Sequence, residues 1–268
     1  MKTTKSWIAV AGLIAALVPD SRAGTVLVVD TETYTAPKSQ GTATVYLEKK
    51  RMRIDSTEGG KDMTIIYKLN PKDEPHYWLI DSRASTYVEV TYADMQRIRA
   101  QVEKSREMLD RQIKNLTPEQ KRQMQKLYRR PLAELAQKPT RPEYKKVASG
   151  TRVGEWTCDQ YQGNQEGKKV EEVWAASWKA LGINQGDLAI FGDMADMFEG
   201  AGQKLPAFFS FAREDVTGVD GFPIMVVAYR DGKPAEKSRV REVRRERIDP
   251  QLFELPEGLT RQNIGQQR

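Results

Sequence analysis

The 268-residue chain holds one cysteine, Cys158, and one histidine, His76. These two residues limit its chemistry. A structural zinc site draws four ligands from Cys and His, and one of each cannot make the usual set. A Ser-His-Asp triad would have to use His76, which follows Pro75 in a polar loop. No Gly-x-Ser-x-Gly elbow occurs. Gly-rich phosphate loops and dinucleotide fingerprints are absent too. Carboxylate pairs do exist, at Glu171/Glu172 and Asp193/Asp196. Two flanking acids are what glycoside hydrolysis requires, so a hydrolase stays as the remote alternative, although carboxylates this common ordinarily face solvent. The sequence therefore predicts no catalytic residue, no metal site, no cofactor and no enzyme. Cys158 has no partner for an intrachain disulfide and reads as a small buried apolar residue.

The densest stretch is 154–178, with Cys158 and three of the five tryptophans, Trp156, Trp174 and Trp178. Two short runs flank Gln162–Gly167, which is rich in Gly, Asn and Gln. That pattern predicts a β-hairpin with a loop longer than the tightest type. Trp156 and Cys158, two apart, share one strand face. Val170 and Trp174 share a face of the second run, and Glu171, Val173 and Ala175 take the other.

The order Gly154-x-Trp156-x-Cys158-x-x-Tyr161, then Gly167-Lys168-Lys169-Val170 and Trp174, resembles the signature of an uncharacterised family of exported bacterial proteins, labelled only as a domain of unknown function. Lys50–Asp55, Met63–Tyr67, Leu116–Gln120 and Phe253–Pro256 fit the same pattern. The family is similar in its paired strands to LolA-type periplasmic lipoprotein carriers. The resemblance implies a fold: an open or half β-barrel closed by helices around an apolar cavity. It implies no activity.

The first 23 residues read as a signal peptide. Lys2 and Lys5 make a positive start, Trp7–Val18 is a twelve-residue apolar core, and Ser21-Arg22-Ala23 precedes cleavage before Gly24. Twelve residues are short for a membrane span, and no other stretch is long and apolar enough. The expected location is the periplasm, with no transmembrane segment in the mature chain. Removing Lys2, Lys5, Arg22 and Asp20 takes the formal charge from +6 to +4. That mild balance gives no reason to expect nucleic acid as a partner.

Residues 24–268 are expected to form a single α+β domain, mainly antiparallel β. Strand-like runs recur over 24–34, 42–48, 50–55, 62–68, 77–81 and 86–91, the spacing of a meander. The period then changes. Met95, Ile98, Val102, Leu109, Ile113 and Leu116 recur at helical intervals. Thr117-Pro118-Glu119-Gln120 is a capping box that starts a second helix. These helices make an insertion at 92–137. Between Ala93 and Arg130 it carries eleven Lys and Arg against five Asp and Glu. This basic pair is either a lid toward anionic lipid or an acidic partner, or an ordinary solvated face. A third helix is expected at 187–200, with Leu188, Phe191, Ala195 and Phe198 on its apolar side. A last hairpin turns at Asp231-Gly232, with a bulge or edge strand near Arg241–Arg244. The fold is expected to end at Leu255-Pro256.

Two functional classes follow. The first is a binding module whose barrel holds a lipid, acyl chain or lipoprotein. Its lining candidates are Met52, Ile54, Met63, Ile65, Trp78, Trp156, Trp174 and Phe198, each with ordinary packing as the alternative. The second is an envelope protein-interaction or stress-sensor module that presents the basic helices to another protein.

Overall fold

Three pairs of residues fold the chain back on itself in the tightest way available. Gly59–Gly60, Glu166–Gly167 and Asp231–Gly232 all have positive φ at both positions, the two-residue turn whose twist matches that of paired strands. The expected longer loop at 162–167 is therefore a two-residue turn. Its polar residues 162–165 belong to the strand instead, because the ladder continues to Gln165↔Lys168.

The computed structural model describes residues 23–35, 37–70, 72, 74–128, 142–183, 185–188, 190–192, 194–195 and 218–263. The first six strands are β1 (Gly24–Thr33), β2 (Ser39–Glu48), β3 (Arg51–Glu58), β4 (Lys61–Leu69), β5 (Pro75–Asp81) and β6 (Thr86–Thr91). Helices α1 (Tyr92–Asn115) and α2 (Pro118–Tyr128) follow, then β7 (Glu143–Val153), β8 (Trp156–Gln165) and β9 (Lys168–Ala176). A one-turn helix, α3 (Trp178–Leu181), precedes β10 (Phe222–Arg230), β11 (Lys233–Glu246) and β12 (Thr260–Gln262). Among the described residues the strands form one sheet in the order β12-β6-β5-β4-β3-β2-β1-β11-β10-β9-β8-β7. It is antiparallel except for β12 beside β6, and its two outer strands do not pair, so it stays open.

β11 lies between β1 and β10 and is not an edge. Its bulge is real: Arg241 is the extra residue where the register steps between Val28↔Glu242 and Val29↔Val240. Nor does the chain end its fold at Leu255-Pro256. The C-terminal segment crosses the sheet, packing Ile248 and Phe253 against Val26, and then adds β12 to the β6 edge. Three residues pairing in parallel leave too faint a pattern for sequence to reveal. At the other edge, β7 carries two register shifts and exposed Lys145 and Lys146, features that discourage a further strand from adding.

Thr91 caps α1: its hydroxyl accepts from the Asp94 amide while the Asp94 carboxylate accepts from the Thr91 amide. Thr117 and Gln120 exchange the same reciprocal bonds ahead of α2. The third helix differs from expectation. Ser177 caps α3, and left-handed Gly182 stops it after one turn. A tight turn at Gln185–Leu188 and helical residues at 190–192 and 194–195 come next. The rest of the expected 187–200 helix, with Phe198, lies outside the described residues, as does the end of the insertion beyond Tyr128.

One core joins both halves of the sheet. It includes Leu27, Val45, Met52, Tyr67, Tyr77 and Val90 from β1–β6, and Trp156, Cys158, Ala176 and Phe222 from β8–β10. The pairings Val29↔Val240, Ser238↔Val226, Val226↔Val173 and Tyr161↔Val173 carry the Val29 face into β8. That face continues to Tyr161 and Val173, which form a separate small cluster. Trp156 and Cys158 stand on the reverse face. The core therefore meets opposite faces of the sheet in its two halves. Right-handed twist of roughly 20–25° per strand, accumulated over so many strands, turns the second half over. The strands also part at the changeover, where Phe222 and Pro223 pair with β9 and 242–246 pair with β1.

Candidate functional site

On the core-facing side of β1–β6, residues line up in transverse rows set by the register. One row runs Leu47, Met52, Tyr67, Tyr77 and Val90, all of them buried. The next runs Leu27, Val45, Ile54, Ile65, Leu79 and Val88, in which Ile65 and Leu79 are half-buried. A third runs Val29, Ala43, Ser56, Met63, Asp81 and Thr86, in which Met63 is 49% exposed. The face thus grades from sealed to open along the strands. Met95 of α1 and Leu181, Leu188, Phe191 and Met194 belong to the same core.

Five of the eight predicted lining residues belong to this core or pack on it. Met52, Ile54 and Trp156 are buried in it, and Ile65 and Trp174 lie against it. Met63 sits at the open end of the same face. Trp78 does not belong with them. The alternation of β5 gives Tyr77 and Leu79 to the core face, so Trp78 points to the opposite side, stacked on His76 at 4.6 Å with Lys68 5.5 Å from its ring centre. Phe198 lies outside the described residues. Tyr67 and Tyr77, ring centres 4.8 Å apart, were missed, although they share the parity of Met63 and Ile65 and of Leu79. A phenol in a strand reads as a surface residue until its neighbours are known.

Among the described residues the candidate acids form no catalytic constellation. Glu171 and Glu172 are strand neighbours and point to opposite faces. Tyr144 donates to Glu171, and Tyr229 donates to Glu172 at 2.6 Å. That separation rules the pair out as two acids flanking one bond. Lys169 completes the second group, 3.1 Å from Glu172 and above the Tyr229 ring. Asp193 and Asp196 are outside the described residues. His76 lies on the outer face, its Nε2 2.8 Å from a Glu89 carboxylate that also holds Arg261 of β12 at 2.6 Å. The ring nitrogen is close but not aligned for a hydrogen bond. The contact ties β12 to the sheet. Cys158 is 1% exposed, and burial, helped by Asp159, pushes its thiol up to about 11; a thiol so held is a poor nucleophile. Among the described residues no group of three or more His, Cys, Asp and Glu is placed to hold a metal ion, and no helix is long and apolar enough to cross a membrane.

The basic helices are more balanced than their composition suggests. Within α1, Asp94 pairs with Arg97, Glu103 with Arg106, Glu107 with Arg111 and Asp110 with Lys114. These are the i,i+3 and i,i+4 pairs of a solvated helix. Met95 is the buried residue of α1, whereas Tyr92 and Met108 are exposed.

No protein-family model matches the chain, and no curated protein does. Among solved structures, one described as PNGF-II in a C2 space group is similar over 90% of this chain, at 9% identity and a TM-score of 0.33. This chain spans 31% of the length of that one.

Proposed function

We propose that this chain is a non-enzymatic periplasmic binding protein. It holds an apolar ligand, a lipid or an acyl chain, against the core-facing side of β2–β5, in a half-barrel of the LolA type. One observation carries the reading: apolar residues run without a break from buried Tyr67 and Tyr77, through half-buried Ile65 and Leu79, to half-exposed Met63. An apolar strip that reaches solvent from a core is a common mark of a ligand or partner site. The tail of the ligand lies along Ile65 and Leu79 and passes Met63 at the mouth. Native mass spectrometry of the mature protein purified without detergent, followed by solvent extraction, tests this. A co-purifying amphiphile is expected; protein that is empty after every preparation, and takes up no added lipid, contradicts it.

The exposure of Tyr92 and Met108 on α1 favours a second reading, an envelope interaction module. A stable protein partner recovered in pull-downs, and lost on replacing both residues with Ser, would favour it over ligand binding.

A further inference from the structure

Beyond Met63 the same face changes character within one row. The residues in register there are Ser238, Thr31, Gly41, Glu58 and Lys61, with Glu236 one row further out beside Thr33. Two features set this rim apart. Its charges are of both signs: Lys61 stands in register with Glu58 across the β3–β4 turn, and Glu236 feels Glu58 and, after it, Arg230. It is also rich in hydroxyls. Ser39 donates to Glu58 at 2.6 Å and Ser56 to the Met63 carbonyl at 3.2 Å. Ser238, 1% exposed, has a hydroxyl with no hydrogen-bond partner. A buried hydroxyl left unpaired is costly and unusual in a folded protein. It shares the strand face of Glu236 two residues away.

A rim of mixed sign gives little net attraction to a charged head group, and desolvating an ion there lacks the compensation that a rim of one sign would provide. A neutral head that both donates and accepts hydrogen bonds matches the hydroxyls and the unpaired Ser238. We infer that the ligand is a single-chain amphiphile with a neutral, hydroxyl-bearing head, seated at Ser238, Thr31 and Glu236 with its tail along Met63 and Ile65. This rests on the apolar-ligand reading above. Burial, with Glu58 nearby, also raises the Glu236 carboxyl, which brings it toward the neutral, donating form.

The test compares three lauryl probes below their micellar concentrations: monolaurin, laurate and lauryltrimethylammonium, each followed by tryptophan emission and by displacement of a naphthyl dye. Monolaurin is expected to bind roughly tenfold more tightly than either ion, a difference set by head-group contacts alone. Ser238→Ala is expected to reduce that preference several-fold, leave laurate binding unchanged, and raise the melting temperature of the empty protein by removing the unpaired hydroxyl. Glu236→Gln, which keeps a donor, is expected to retain monolaurin binding. If either ion binds as tightly as monolaurin, the head-group assignment fails and the apolar-ligand reading stands. If no probe binds, both fail.

Discussion

The two ends of the core-facing side of β2–β5 are built from the same strands with the same alternation, yet they are finished differently. At one end Leu47, Met52, Tyr67 and Tyr77 are buried, in the core that Met95 of α1 and Leu181, Leu188, Phe191 and Met194 also join. At the other, Met63 and the Ser56 row stand at the mouth, and the next row is polar. The difference teaches that strand parity selects a face, whereas burial along that face depends on what is laid over it. Stability should reside at the sealed end and binding at the open one.

The largest expected effects break the buried core. Tyr67→Ala and Trp156→Ala each leave a large cavity and should cost about 3–5 kcal/mol, read as a fall in the urea midpoint at unchanged slope. A loss below 1 kcal/mol at Trp156 would mean that it lines a space rather than fills one. Thr91→Ala removes the capping box that starts α1 and should cost about 1 kcal/mol. Its partner Asp94 is held below the ordinary carboxylate value, first by the Thr91 hydroxyl and then by the Thr91 amide and Arg97. That stabilisation is present above the unfolded value and is lost as pH falls through the lowered folded value. The Thr91→Ala cost should therefore shrink in acid, checked by paired melts across that range.

Smaller effects belong to the open end. Glu236 has the opposite sign to Asp94, since its folded value is raised, by burial first. Ionising it opposes folding, so Glu236→Gln should stabilise the protein at neutral pH. The gain should vanish as pH drops below the unfolded carboxylate value. Met63→Ser should change stability by less than about 0.5 kcal/mol while weakening uptake of an apolar probe. Equal loss of stability at Met63 and Met52 would erase the distinction between the two ends. Cys158 probes the core shared by both halves of the sheet: native alkylation should be slow, and rapid labelling would show that this core opens.

Much of the sheet was legible in residues 24–91, where alternation and the Gly59–Gly60 turn speak locally, as do the helical stripe after Thr91 and the Asp231–Gly232 turn further along. The shared face of Trp156 and Cys158, and the buried character of the thiol, followed from spacing two. The misplacement of Trp78 had a different origin. Only the register of β5 against β4 reveals that Tyr77 and Leu79 occupy the core face. The two tyrosines escape sequence reading for the converse reason, because their burial is in a core that residues remote in sequence also join. β12 and the crossing of the C-terminal segment could not be read at all. Three residues carry no period, and the Ile248–Phe253 contacts with Val26 are made by residues more than two hundred positions apart. The pairing of Glu171 with Tyr144 and of Glu172 with Tyr229 was equally hidden, and it decides that the two acids do not act together.

The most direct test uses the one buried thiol to advantage. Met63→Cys adds an exposed site that takes an environment-sensitive fluorophore while Cys158 stays shielded. On titration with monolaurin, the account predicts a blue-shifted, saturable emission change at this position and none from the same label at Trp78→Cys on the opposite face. An unmoved Met63→Cys signal while monolaurin binding is seen by dye displacement would contradict it.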